Sequence, residues 1–135
     1  MKTIHLLAPA LLALLPVAHA SPFSVALSGK DPALQCGSKV TPTLNFSGTP
    51  PKGTRSYAVI FWDQMPNALS GRWLVFNIPL GTTKITPVAA DSKKVMSGNA
   101  ATNEAGQQGY SPICKLGRHD IYIDYYALDQ WFGQF

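Results

Sequence analysis

Few residues in this chain are equipped for chemistry. The sequence holds three histidines, two cysteines and seven acidic side chains. His5 and His19 fall in an apolar N-terminal stretch, which leaves His119 as the one imidazole in the body of the chain. A Ser-His-Asp hydrolase needs a nucleophile beside that base, and no Gly-x-Ser-x-Gly elbow is present. A zinc site needs several His or Cys ligands at short spacing, which one histidine and two distant cysteines do not supply. No glycine-rich loop of Walker type occurs. The residues therefore predict no enzyme, no catalytic residue, no metal site and no cofactor. What remains is a polar trio at the ends of apolar runs: Asp63 closes one, Arg72 opens the next and His119 opens a third. Singly, each reads as a turn residue, a solvated strand-end charge or a surface imidazole. Together, their placement at the ends of apolar runs looks less accidental.

The segments that would carry this trio can be placed from the ends inward. Met1-Lys2 is a short positive start, Leu6 to Val17 is apolar, and Ala18-His19-Ala20 before Ser21 fits a small-x-small cleavage site. Residues 1–20 are read as a secretory signal peptide. The apolar run is too short for a comfortable membrane span and no later stretch replaces it, so no transmembrane segment is expected and the product should be secreted and extracellular. Residues 21–135 are enough for one domain with its own core. The formal charge of +4 comes without a dense Lys/Arg run, a mild pull toward anions and no case for nucleic acid. Cys36 and Cys114 in an exported chain most simply form one disulfide, the alternative being two buried free thiols. Asn45-Phe46-Ser47 is an acceptable N-glycosylation sequon in a host that glycosylates.

The middle of the chain reads as β structure. Arg55 to Asp63 and Arg72 to Ile78 are apolar, rich in β-branched and aromatic residues, and bounded by Pro and Gly, as strands buried on both faces would be. Asp120 to Tyr125 alternates, putting Ile121, Ile123 and Tyr125 on one face and Asp120, Tyr122 and Asp124 on a wet one. Phe23 to Leu27 and Lys39 to Phe46 are further strand candidates, and no amphipathic helix is evident. From Pro87 to Gly117 the chain is dominated by Gly, Pro, Asn, Ser and Ala, a long connection of the functional or mobile kind.

An ordered set of motifs adds a resemblance. Thr41-Pro42-x-Leu44, the Pro-x-Gly-Thr-x-Ser-Tyr of Pro51 to Tyr57, Asp63 with Pro66, Trp73-Leu-Val-Phe-Asn-Ile-Pro79, Asn103-x-x-Gly106, Gly109-Tyr110-x-Pro112, Gly117-x-His119 and Tyr126-Ala-Leu-Asp129 occur in that order. Across nearly all of the chain after residue 20, this resembles the phosphatidylethanolamine-binding protein family, which includes the Raf kinase inhibitor-like proteins. The resemblance implies a mainly β, Greek-key antiparallel β-sandwich with a long loop and a small pocket at one end that accepts phosphoryl headgroups or similar anions. Carried over by motif, Asp63 matches the first aspartate of the family's Asp-Pro-Asp-x-Pro turn, Pro112 the proline of its pocket loop, and His119 the histidine of Gly-x-His.

Departures bear on the same site. Arg72 stands where the family has a histidine before the strand Trp, and Asp120-Ile121 where it has Arg-Tyr. The aspartate turn, Asp63-Gln64-Met65-Pro66, is one residue short and lacks a second carboxylate, and the Gly-Pro-x-Pro-Pro loop has become Pro112-Ile113-Cys114-Lys115. Arg72 either grips a phosphate bidentately or folds onto Asp63 and fills the pocket. Lys115 and Arg118 are expected near the mouth. Family chains usually continue beyond the Ala-Leu-Asp strand, whereas this one stops at Phe135, which implies an unusually open pocket or a shortened product. Trp131, Phe132 and Phe135 would then form an apolar patch suited to a protein partner, a membrane surface or a dimer contact. The expected function is binding of a small anion such as a phosphoryl headgroup. The alternative is inhibition or modulation of a protease or kinase through loops at the pocket rim.

Overall fold

The computed structural model describes residues 21–114 and 117–133. The expected leader, residues 1–20, lies outside the described residues, as do Lys115 and Phe135. Among the described residues, eight strands occur in order: β1 (Ser24–Leu27), β2 (Leu44–Ser47), β3 (Ser56–Met65), β4 (Ala68–Ile78), β5 (Lys84–Ile85), β6 (Lys94–Val95), β7 (Gly98–Ala100) and β8 (Asp120–Leu128). They form a small sheet of order β1-β2-β5 and a large one of order β6-β7-β4-β3-β8, with every pairing antiparallel. The mainly β, two-sheet fold expected from the sequence is the fold the chain adopts.

Alternation along the strands builds the core between these layers. Val25, Leu44, Phe46 and Ile85 from the small sheet meet Tyr57, Val59, Phe61, Trp73 and Val75 from the large one. Phe23 stacks on Tyr57 with ring centroids 4.3 Å apart. Phe61 and Trp73 are at most 1% exposed, and truncating either to alanine would cost about 3–5 kcal/mol.

Several local expectations need correction. β3 and β4 are not buried on both faces: the face toward the small sheet is closed, whereas Ile60, Leu74 and Phe76 on the other are half-buried. The small sheet covers one side only. β3 also runs past Asp63, because the ladder continues through Asp63↔Ser70, Gln64↔Leu69 and Met65↔Ala68. The hairpin turns at Pro66-Asn67, where proline is favoured. Asp63 and Arg72 thus lie inside strands and not at their ends. In β8, Ile121 and Tyr125 on the face expected to be dry are 37% and 40% exposed. β8 is an edge strand, paired in its sheet with β3 alone, and the small sheet reaches it through contacts such as the edge-on packing of Phe23 on Tyr125 at 5.6 Å.

The predicted strand from Lys39 shortens to β2, with Val40 making only an isolated bridge to Ala89. The one helical element among the described residues is a 3-10 turn, Pro32–Leu34. Asp31 caps it, with Oδ1 accepting from Ala33 N at 2.9 Å and Oδ2 from Thr43 N at 2.6 Å. Cys36 and Cys114 are joined in a disulfide with Cα atoms 4.5 Å apart, tying the segment after that turn to the loop ahead of β8. The long connection from Pro87 to Gly117 is less open than its composition suggests, since β6 and β7 lie within it and join the large sheet. Asn103 organises the turn after β7: Oδ1 accepts from Ala105 N and Gln107 N, and Nδ2 donates to Gly109 O. Gly109 has φ +90°, and a Cβ there would lie 2.2 Å from Ala90 O, so only glycine lets the chain pass.

Candidate functional site

An irregularity in β4 creates the site. Phe61 pairs with Trp73 but Trp62 pairs with Gly71, so β4 carries one extra residue, Arg72, against β3. Such a bulge breaks strict alternation and re-aims a side chain. Arg72 and Trp73 are consequently both buried, and Arg72 reaches across to Asp63, itself 0% exposed. Its Nη2 and Nε donate to Asp63 Oδ2 at 2.9 and 3.3 Å. From β8's entry, His119 Nδ1 lies 2.6 Å from Asp63 Oδ1. One buried carboxylate therefore receives a guanidinium on one oxygen and an imidazole on the other.

In this geometry Arg72 is folded onto Asp63. The carboxylate accepts, so the short contact to His119 places a proton on Nδ1 and fixes the ring's orientation. In the imidazolium form the trio carries a net charge of +1, a balance that one anionic oxygen would neutralise. A neutral ring leaves the trio uncharged.

Pro112 is half-buried in the strip that runs beside the trio, where the neighbouring Ser111 N donates to Arg72 O at 2.9 Å. Two residues earlier stands Tyr110, which sequence reasoning used only as a motif letter. Its ring meets Phe61 and Trp73 edge-on, at 5.7 and 6.1 Å, and its hydroxyl donates to Ala33 O at 2.7 Å. Burial pushes its phenol up to about 12, with Asp31 adding to the rise, Arg72 opposing it and Asp63 adding again. The Gly-Tyr-x-Pro spacing was the available signal for this residue. Nearby, Trp73 Nε1 is a buried donor without a hydrogen-bond partner among the described residues.

Other expected residues fall elsewhere. Arg118 forms an exposed pair with Asp120 at 3.4 Å. Asn45 lies in β2 with its side chain exposed, and Nδ2 donates to Ser28 Oγ at 3.0 Å. Phe132 is held by its backbone, Asn77 Oδ1 accepting from Phe132 N and Nδ2 donating to Phe132 O, while Trp131 is 48% exposed. Among the described residues, no group of three or more His, Cys, Asp or Glu is placed to hold a metal ion, and no helix is long and apolar enough to cross a membrane.

A family profile described as Phosphatidylethanolamine-binding protein matches residues 17–131. The chain belongs to that family. A UPF0098 protein of Methanothermobacter thermautotrophicus is 30% identical over 96 residues, which span 69% of this chain and 63% of the relative. This chain thus aligns with less than two thirds of that protein's length. Among solved structures, Escherichia coli YbcL, described as a new member of the mammalian PEBP family, superposes with a TM-score of 0.62 at 24% identity, covering 80% of this chain and 77% of YbcL. That likeness shows the fold. Phosphatidylethanolamine-binding proteins are in general ligand-binding or regulatory proteins, binding small ligands and in some cases other proteins.

Proposed function

We propose that this phosphatidylethanolamine-binding protein is a secreted, non-enzymatic binder of small anions, with phosphoryl headgroups as the ligand class. The observation that carries the reading is the convergence of Arg72 and His119 on the buried carboxylate of Asp63. Asp63 orients both cationic groups, the imidazolium supplies the net charge, and the loop through Pro112 forms the neighbouring wall. Capture of an anion favours the charged imidazole, so ligand binding and protonation of His119 reinforce each other. Secretion is part of the proposal and rests on the leader-like residues 1–20. Mass measurement of the exported chain should give an N-terminus at Ser21, and retention of residues 1–20 would remove this part of the reading.

The test of binding is an NMR titration of the leader-free, disulfide-bonded chain with phosphoethanolamine and, separately, inorganic phosphate. His119 is then the one histidine, and its ring signals report directly. A saturable shift with a raised imidazole pKa is the expected result, abolished in Asp63→Asn while the other resonances hold their positions. No shift at millimolar ligand would overturn it. A binding or inhibitory activity toward a protein that survives His119→Ala in a folded chain would instead favour a surface interaction with a protease or kinase.

A further inference from the structure

Cys36 and Cys114 are both exposed, although the segments their disulfide joins are pinned to the core without it. On one side, Asp31 caps the 3-10 turn, and Tyr110 Oη donates to Ala33 O at 2.7 Å. On the other, Tyr110 N donates to Ala90 O at 2.7 Å, Ser111 N donates to Arg72 O at 2.9 Å, and Ile113 is buried. The seam between the two segments is thus closed as far as Ile113 by contacts the disulfide does not supply. Beyond Ile113 the situation changes. Among the contacts described ahead of His119, those to a distant part of the chain all run through Cys114: its bond to Cys36, and Gly37 N donating to Cys114 Sγ at 3.3 Å. Arg118 pairs only with nearby Asp120, in solvent. Gly117 has φ +114°, a conformation that glycine enters easily and does not hold unaided. The turn that delivers His119 to Asp63 is therefore tethered at its start by the disulfide and at its end by the first pair of β8, Asp120↔Gln64.

An exposed disulfide is open to thiol exchange, and the surroundings of this one give the exchange a direction. The Gly37 N–H faces Cys114 Sγ, where it stabilises a departing thiolate. Attack by one thiolate of a dithiol on Cys36 Sγ breaks the S–S bond, leaves a mixed disulfide at Cys36 and releases Cys114 as the thiolate. The donor's second thiol then closes on the mixed disulfide and expels Cys36. The dithiol supplies both electrons and departs as a disulfide, and the protons its thiols give up end on the two cysteines.

We propose that Cys36–Cys114 is a reversible redox switch that sets how firmly His119 is held on Asp63, opened by a dithiol. Its consequence for a ligand rests on the anion-binding reading above: reduction leaves Arg72 on Asp63 but loosens the imidazole, so an anion is bound more weakly. NMR spectra of the leader-free chain before and after dithiothreitol, with opening of the bond verified by mass after alkylation, test it. The His119 ring signals and the amides flanking both cysteines should shift on reduction, while the methyl signals of Val59 and Val75 in the core hold their positions, and oxidised glutathione should restore the starting spectrum. The dissociation constant for inorganic phosphate should rise about fivefold or more, because the site is less preorganised. Cys36→Ser combined with Cys114→Ser should match the reduced chain in both respects and ignore dithiothreitol. His119 ring signals that stay in place on full reduction overturn the proposal. So does a chain that unfolds on reduction, for the bond is then a staple of the whole fold, or a bond that dithiothreitol does not open without denaturant. Equal phosphate affinity in the two states, with binding intact, overturns it as well. If the ring signals move and neither state binds phosphate, the switch stands and the anion-binding reading falls.

Discussion

Replacing Arg72 by methionine keeps much of the side chain's volume and removes its charge, leaving Asp63 buried with His119 as its remaining side-chain partner among the contacts described. Asp63 is 0% exposed and the Arg72 side chain 10%, so water screens this pair little. Two donated hydrogen bonds at 2.9 and 3.3 Å disappear from Oδ2. Breaking a buried pair by removing one partner typically costs 3–5 kcal/mol, and because His119 still serves Oδ1, a loss of about 3 kcal/mol is expected. Urea unfolding of the disulfide-bonded chain, followed by tryptophan fluorescence, measures it as a lower midpoint at unchanged slope. The control is Asp63→Asn in the same background. It removes the stranded charge, so the double variant should recover at least half of the loss, and the two substitutions should be strongly non-additive. A loss below about 1 kcal/mol, as for an exposed pair, or simple additivity, would refute the view of Asp63 as a buried anion that depends on Arg72.

Three further outcomes are expected from the same geometry. Serine at Cys36 and Cys114 opens a loop spanning a sequence separation of 78, and chain entropy puts the loss on the order of 4 kcal/mol, measurable as the difference in denaturation midpoint. Tyr110 makes the fold alkali-sensitive: its phenol ionises near pH 10.0 when unfolded and at about 12 when folded, so its stabilisation is complete below the lower value. As pH rises through that window the folded state holds a proton the unfolded chain has lost, and stability falls by about 1.4 kcal/mol per unit. Tyr110→Phe should flatten that decline in pH-dependent melts, and an unchanged decline would assign it to another group. Gly109→Ala forces a side chain against Ala90 O at a left-handed backbone position and should destabilise by about 2 kcal/mol or more, with a neutral result contradicting the described turn.

The legible part of this protein was its chemistry by type. Asp63 and His119 stood out because charged and aromatic-ring polar groups beside long apolar runs need partners, and the Cys36 and Cys114 pairing came from their number and context. The position of Asp63 is easily misread because a carboxylate looks like a strand terminator until its partners are known. Arg72 supplies the compensation from nine residues away, and only the folded hairpin brings it there. The exposure of β8 depended on sheet order, which alternation does not encode. Burial of β3 and β4 was overestimated for a related reason: an apolar residue such as Leu74 reads the same whether its face is covered by its own chain or left open. Tyr110 was visible as a motif member, yet its electrostatic surroundings come from Asp31, Asp63 and Arg72, on three separate segments.

The extra residue in β4 has a consequence for how such chains change over time. Because Arg72 faces the core only by virtue of an inserted position, a single-residue deletion between Gly71 and Trp73 would restore regular pairing and abolish the site without altering any neighbouring amino acid. Conversely, an arginine gained by point substitution in an unbulged relative would point at solvent. Chain length at this one step, more than side-chain identity, decides whether the protein has a cationic wall beside Asp63, so alignments of its relatives must place their gaps here correctly before residue 72 is compared.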